Sequence, residues 1–506
     1  MFLLGIDIGT SGTKTVLFDE ELNTVAQALS EYPLYQPQNG WAEQDPEDWW
    51  NAVCITIKEV IAKSGVNAAD IGGVGLSGQM HGLVMLDKND NVLRRSIIWC
   101  DQRTGAECEE MTSIIGRDKL IEITANPALT GFTASKIMWV KKHEPEIFEK
   151  CAKIMLPKDY IRYMLTGEFA TEVSDASGMQ LLDVPGRCWS SFVLDKLGID
   201  INQRGKMYES CEVTGKVTVS ASEKCGLAPG TIVVGGAGDQ AAGGVGNGIV
   251  REGIVSATIG TSGVVFAHTN KISIDPKGRV HTLCHAVPGA WHIMGVTQGA
   301  GLSFKWIRDM MFTGEKETAD QLGVDPNYLM DQICATSPAG ANGLIYLPYL
   351  MGERTPHLDP DARGVFFGLS AIHEKKDMMR AVMEGVIYSL CDCMTIIREM
   401  DVQPETVYAS GGGANSTLWR QMMADGFNMP ISVNSSVQGG AMGVAILAGV
   451  GAGLYTNVPD TCKQFISEKK RTEPNADTVS LYSKSLKLYD GLYNALKDSF
   501  KELAKL

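Results

Sequence analysis

A two-domain α/β fold with duplicated halves follows from three features of this sequence. The chain has 506 residues, a length that suits two or more hydrophobic cores. The pentapeptide IGTSG occurs at Ile8–Gly12 and again at Ile259–Gly263, about half a chain apart and each time between two apolar runs. Alternating helix-like and strand-like periodicity follows each copy, as duplication of one unit would produce.

In the first half, apolar runs at Phe2–Ile8 and Thr15–Phe18 flank the Gly/Thr/Ser turn, and Asn23 marks a second turn, giving an antiparallel meander. The segment GIVSATIGTSGVVFAHT repeats the strand–turn–strand pattern in the second half. Asp45 as N-cap, with Pro46 at the first helical position, opens a helix on which Trp50, Cys54, Ile57 and Ile61 recur at helical spacing. The runs Val74–Gly78 and Thr231–Asp239 end in glycine, as strands entering a site do. Glu468–Asp477 reads as a polar linker. After it, Tyr482, Leu486, Tyr489, Tyr493, Leu496, Phe500 and Leu503 form the apolar stripe of a last helix. The change of domain is expected near Asn247–Glu252, giving domains 1–248 and 249–506.

A net charge of −14 excludes nucleic acid as the main partner, because a polyanion needs a surplus of Lys and Arg. It leaves room for a small phosphorylated ligand in an amide-lined pocket. The 12 cysteines include no CxxC pair, and a chain of this size needs no disulfide framework, so reduced buried thiols are expected. Gly5 and Asp7 interrupt any signal-peptide core. The most apolar stretch, Gly439–Leu454, is broken by glycines and short for a bilayer. A soluble cytoplasmic protein with no membrane partner is the expectation.

A tight Gly/Thr/Ser turn between strands turns several backbone N–H groups to one side, a nest that suits phosphate. Thr10, Ser11 and Gly12 form the first such turn; Gly260 and Thr261 belong to the second. Asp7 before the first turn can hold Mg²⁺, and Lys14 after it can neutralise phosphate charge. Two such turns facing across a cleft would clamp one nucleotide. A third glycine cluster, ASGGGANS at Ala409–Ser416, follows an apolar run and leads into helical spacing at Leu418, Met422 and Met423. Gly412, Gly413 and Asn415 there suit adenosine or its phosphates; a close strand–helix crossing explains the glycines equally well. No GxxxxGK[ST] loop occurs, and the GxGxxG at Gly73–Gly78 runs through an apolar stretch, which is the wrong place for a dinucleotide fold.

Asp239 follows a buried-looking strand within GGAGDQAAGG. A carboxylate there can take the proton of a substrate hydroxyl, although spacing alone favours a helix N-cap. SGQMHGLV and IIWCDQR each end an apolar run in polar groups. Gln79, His81, Asp101 and Arg103 could bind sugar hydroxyls, with Trp99 or Met80 against the carbon face; a structural role for a lone histidine is the alternative.

These stretches together resemble the FGGY carbohydrate kinases over nearly the whole chain. GFTASKIMWVKKH (Gly131–His143) and GVFFGLSAIHEKKDMMRAVMEG (Gly364–Gly385) look like the two family signatures, and DIGTSGTK, TIGTSG and SGGGAN look like its phosphate-1, phosphate-2 and adenosine motifs. The resemblance implies two ribonuclease-H-like domains of the actin/Hsp70/hexokinase superfamily flanking a deep catalytic cleft, with sugar on the first domain and ATP on the second. It implies Asp239 as general base, Met80 and His81 as the sugar-contacting pair, and Asp7 near Mg²⁺ and the transferred phosphate. Gly260, Thr261, Gly412, Gly413 and Asn415 match nucleotide positions. GQMHG, WAEQDPEDWW, LPKDY, SDASG and LPYLMGERTPH imply D-xylulose as the acceptor. Gln240 departs from the Asn often found there, which keeps another ketose or polyol, such as ribulose or glycerol, as the alternative. The family also implies a possible homodimer. An actin- or chaperone-like ATPase would have no use for the motifs at Gln79–His81 and Gly131–His143.

Overall fold

The computed structural model describes residues 1–436 and 438–506. Two seven-stranded sheets carry the molecule, and both are built to one plan. In the first sheet, β1 (Phe2–Ile8), β2 (Gly12–Phe18) and β3 (Thr24–Glu31) form the expected antiparallel meander. β4 (Ile71–Gly78) adds parallel to β1. β5 (Val213–Lys216) closes the far edge antiparallel to β6 (Ile232–Val234), which lies parallel to β4. A short β7 (Ala237–Gly238) pairs with the end of β4.

The second half repeats this. β8 (Ile254–Ile259), β9 (Gly263–Thr269) and β11 (Trp291–Thr297) make the meander, with β10 (His281–Cys284) added at its edge. β12 (Thr406–Ser410) lies parallel to β8, and β13 (Ile431–Asn434) parallel to β12. Read from the meander, the orders β3-β2-β1-β4-β6-β5 and β11-β9-β8-β12-β13-β14, with β14 at Glu468–Thr472, coincide.

The last strand of that series corrects the linker expected at Glu468–Asp477. β14 (Glu468–Thr472) pairs antiparallel with β13, in the place β5 holds in the first sheet. Its residues are nearly all exposed and charged. An edge strand guarded by Lys469, Lys470 and Arg471 has the composition of a linker, because charge on an edge deters pairing with another chain.

Helices cover the sheets as their sequences dictate. In α1 (Pro46–Ser64) the Asp45 side chain accepts the N–H of Glu47, and Trp49, Trp50, Val53, Ile57 and Val60 are buried. α7 (Ala476–Leu503) buries Tyr482, Tyr489, Leu492 and Phe500 in the core around α4 (Lys375–Glu399), while Leu503 at its end is exposed. All 12 cysteines are free thiols. No helix among the described residues is long and apolar enough to cross a membrane.

Two helices join the halves. α2 (Asp239–Gly246) leads out of the first sheet, and α6 (Gly439–Gly451) returns from the second half to pack on β1 and β4. Glycines on β1 and β4 make this return possible. A Cβ on Gly5 would lie 2.0 Å from the Ala441 carbonyl oxygen, and one on Gly75 1.9 Å from that of Val444. The GxGxxG at Gly73–Gly78 therefore serves helix-on-sheet packing, where backbone must approach backbone.

Candidate active site

The carboxyl ends of β1, β4 and β7 stand side by side. Asp7 pairs with Ser77 and Ile8 with Gly78, and Ala237 and Gly238 pair with the same two residues from the other side. Asp239 comes next, so it lies two strand spacings, roughly 10 Å, from Asp7. Gly238 occupies the N-cap position and Asp239 is the first residue of α2, which sets aside the capping role that spacing favoured.

Both carboxyl groups are perturbed. Burial pushes the Asp239 carboxyl up to about 7, the charge of Asp7 adds to the rise, and the N–H groups of Gln240 oppose it. Burial also raises Asp7. Asp7 Oδ1 is buried without a hydrogen-bond partner.

Each IGTSG segment forms a closed turn at a sheet end. Gly9 N–H donates to the Gly12 carbonyl and Gly260 N–H to that of Ser262, both at 3.0 Å. Among the described residues the N–H groups of Thr10, Ser11, Thr261 and Ser262 donate to no protein acceptor. They are the donors a nest offers to an anion. Tyr32 Oη donates to the Gly9 carbonyl at 2.5 Å, and Gln44 Nε2 to that of Thr10 at 2.7 Å. Neither brace was legible in the sequence. The second turn is held by the start of α3 (Ala300–Met311), where Gly301 N–H donates to the Gly260 carbonyl at 2.8 Å and Leu302 N–H to that of Thr261 at 3.1 Å.

Beside this turn a recess of about 560 Å³ is lined by Gly260, Thr261, Gly412, Gly413 and Asn415, together with Lys305, Arg308 and Tyr328. A second cavity of about 700 Å³ runs from Asp239 and Gln240 past Thr258 and Ser410 to Asn415. Asn415 lines both, so they meet at the glycine loop Ala409–Ser416. Ser416 caps α5 (Thr417–Phe427) by accepting the Trp419 N–H at 3.0 Å. Gly412 is exposed, and a Cβ there would meet nothing within 4 Å, so the loop presents bare backbone to the recess. Tyr328, Lys305 and Arg308 were missed because they lie outside any motif.

The expected sugar-side residues divide. Met80 is buried against Gly238, next to Asp239. His81 Nδ1 is 2.9 Å from the Gly178 carbonyl. A carbonyl only accepts, so Nδ1 carries the proton and Nε2 is left as an acceptor. Burial and the nearby Lys136 charge hold this ring well below the usual histidine range, hence neutral. Trp99 is 43 % exposed and its Nε1 donates to Thr10 Oγ1 at 2.9 Å, joining the sugar-side aromatic to the phosphate turn.

Gln79, Asp101, Arg103 and Lys14 take other work. Gln79 is buried and its Nε2 donates to Gln44 Oε1 at 2.7 Å, bracing the first turn. Arg103 is buried over the Trp41 ring at 3.7 Å and bonded to Asp101 at 2.7 Å and Glu43 at 2.9 Å. Asp101 also accepts the Ala42 N–H at 2.6 Å. This pair is closed on itself and offers nothing to a sugar. Lys14 Nζ donates to Gln438 Oε1 at 2.6 Å, which ties the first sheet to the second half.

No group of three or more His, Cys, Asp or Glu side chains among the described residues could hold a metal. A nucleotide-bound Mg²⁺ needs only one or two carboxylates beside phosphate oxygens and water. The unpartnered oxygen of Asp7 fits that need.

The N-terminal-domain model of the FGGY family of carbohydrate kinases matches residues 2–246, and the C-terminal-domain model residues 255–452. The xylulose kinase of Bacillus subtilis (strain 168) is 39 % identical over 497 residues, 98 % of this chain and 97 % of that protein. The xylulose kinase of Lactococcus lactis subsp. lactis (strain IL1403) is 38 % identical over 510 residues, 100 % and 99 % of the two chains. The crystal structure of a xyloylose kinase from Brucella ovis superposes with a TM-score of 0.91 at 35 % identity, covering 98 % of this chain and 100 % of that one. The duplicated sheets, the paired turns and these matches give one conclusion: the chain belongs to the FGGY family of carbohydrate kinases, as an ATP-dependent kinase.

Proposed function

We propose that this protein transfers the γ-phosphoryl group of ATP to the C5 hydroxyl of D-xylulose. The observation that carries the reading is the position of Asp239. Its carboxyl, pushed up to about 7, lines a cavity that meets the nucleotide-sized recess at Asn415. The likeness to xylulose kinases supports the choice of sugar.

In this mechanism the adenosine lies in the recess beside Gly412, Gly413 and Asn415. The triphosphate runs to the free N–H groups of the two turns, which stabilise charge spreading over the transferred group. Met80 and His81 position the sugar, with Trp99 and Gln240 at its flanks, and His81 Nε2 accepts from one hydroxyl. Asp239 takes the proton of the reacting hydroxyl as its oxygen bonds to the γ-phosphorus. The bond from that phosphorus to the bridging oxygen breaks, and ADP leaves with the electron pair. Mg²⁺, held by Asp7 and phosphate oxygens, would supply further charge neutralisation. Residues 1–248 carry the sugar side and residues 249–506 the nucleotide side. Movement of the halves about α2 and α6 would expel water and limit wasteful hydrolysis of ATP.

The test is ADP release with and without D-xylulose, beside D-ribulose, glycerol and D-gluconate. Sugar-dependent release with D-xylulose preferred is the expected result. A protein that hydrolyses ATP at one rate whatever the sugar would be a nucleotide-driven machine of the same fold instead.

A further inference from the structure

We infer that Asp331, with Tyr328 one helical turn before it, makes the nucleotide recess selective for adenine: the carboxylate accepts the 6-amino group of the base while the Tyr328 ring covers its face. The inference rests on the proposed placement of the nucleotide in that recess.

The recess has a phosphate end and a base end. Gly301 N–H braces the second turn, and Gly301, Lys305 and Arg308 line the recess at successive turns of α3. Residues four and seven positions along one helix share a face. At 1.5 Å per residue, Arg308 stands about 10 Å beyond the turn. Its Nη1 donates to Asn327 Oδ1 at 2.9 Å. That bond places the helix Pro326–Ala335 at the far end of the recess, and Asn327, Tyr328 and Asp331 line it there. A nucleotide with its phosphates at the turn therefore carries its base to this helix.

The far end has the make-up of a base pocket. Phe304 and Trp419 are buried, line the recess and lie 5.2 Å apart, which gives it an apolar floor. Tyr328 is 61 % exposed beside it, a ring free to lie against a base. Tyr328 and Asp331 are three residues apart on one helix and so present side chains to the same side. The other acceptors nearby are engaged. Asp325 caps its own helix by accepting the Asn327 N–H at 2.9 Å, and Asn327 Oδ1 holds Arg308. Lys305 only donates. Asp331 is half-buried, and the Ser416 hydroxyl beside it uses one of the roughly four acceptor positions of a carboxylate. It is the acceptor left for a base. Adenine offers an amino donor at the position where guanine has a carbonyl oxygen.

The experiment measures dissociation constants by calorimetry, without sugar, for ADP, for purine riboside 5′-diphosphate, which lacks only the amino group, and for GDP. The proteins are the wild type, Asp331→Ala, Asp331→Asn and Tyr328→Ala. The wild type should bind ADP roughly tenfold or more tighter than either analogue, as a hydrogen bond to a charged acceptor implies. In Asp331→Ala the preference over purine riboside diphosphate should fall to within about twofold. Asp331→Asn keeps an acceptor oxygen and should lie in between. Tyr328→Ala should weaken ADP and purine riboside diphosphate alike by roughly tenfold, since stacking is indifferent to the amino group. A merely structural Asp331 would weaken both diphosphates together and leave their ratio intact. An unchanged ratio in Asp331→Ala, or a wild type that binds GDP as tightly as ADP, overturns the assignment. A wild type that binds none of the three overturns the nucleotide placement with it, whereas the choice of sugar is scored separately by turnover of D-xylulose.

Discussion

Asp7 and Asp239 stand two strands apart at one end of the first sheet, and the charge of Asp7 adds to the burial that lifts the Asp239 carboxyl to about 7. A general base works only when deprotonated. Activity should therefore climb with pH through about 7 and level off above it. Asp7→Asn removes the repulsion, so the acidic limb should move to lower pH even as turnover drops. An unmoved limb in Asp7→Asn would show that the titrating group is not Asp239.

The same perturbation has a thermodynamic consequence. A carboxyl whose folded value lies above its ordinary value of 3.8 costs the folded state increasingly as pH rises from the lower value to the upper. Asp239→Asn removes that cost. Sugar phosphorylation should fall by roughly 10³-fold or more, since both the base and its charge are lost. The Tm should exceed that of the wild type at pH 8, and the excess should shrink steadily from pH 7 towards pH 4. A constant difference across that range would show that Asp239 is not buried as described.

Arg103 offers the opposite contrast. It is buried between Asp101, Glu43 and the Trp41 ring, so Arg103→Ala leaves the buried Asp101 without its cation and Glu43 with Arg94 alone. Breaking such a pair costs about 3–5 kcal/mol. Denaturant melts should show that loss, and the variant's KM for sugar should not change selectively. A selective rise in KM with unchanged stability would return Arg103 to the sugar.

What the sequence made legible was whatever depends on local pattern. The meanders, the capped start of α1 and the strand–glycine–helix element at Ala409–Ser416 are periodicity and capping, and they stand as read. What it hid depends on partners distant along the chain. Asp101 and Arg103 sit in a polar strand end that suits a sugar, and only the fold brings Glu43 and Trp41 to consume them. Lys14 meets Gln438 from the other half. β14 shows the limit from the other side, because an edge strand protected by lysines reads like a loop.

Gly301 tests the nucleotide side. A Cβ there would lie 2.3 Å from the Gly260 carbonyl oxygen, which accepts the Gly301 N–H. Gly301→Ala must push the second turn away from α3 and disturb the free N–H groups of Thr261 and Ser262. The KM for ATP should rise by about tenfold, with a much smaller change in the KM for sugar. Equal changes in both would mean that the turn does not serve the nucleotide.

The crossing of α2 and α6 is where the two halves are joined most closely. A Cβ on Gly246 would fall 1.9 Å from the Gly439 carbonyl oxygen, and one on Gly443 1.9 Å from that of Ala242. Neither neighbour is a flexible side chain, so Gly443→Ala must part the helices. Overpacking of this kind costs about 1–3 kcal/mol. It also shifts Asp239, at the start of α2, relative to the second half. The expected result is a lower Tm together with a fall in kcat larger than the loss of folded protein explains, measured at a temperature where the variant is fully folded. Gly491→Ala is the control: it lies exposed in α7 with nothing within 4 Å of its added Cβ. That change should stabilise by roughly 0.5–1 kcal/mol through helix propensity and leave turnover unaltered. If Gly443→Ala keeps wild-type kcat, the crossing holds the halves together without setting the geometry of transfer.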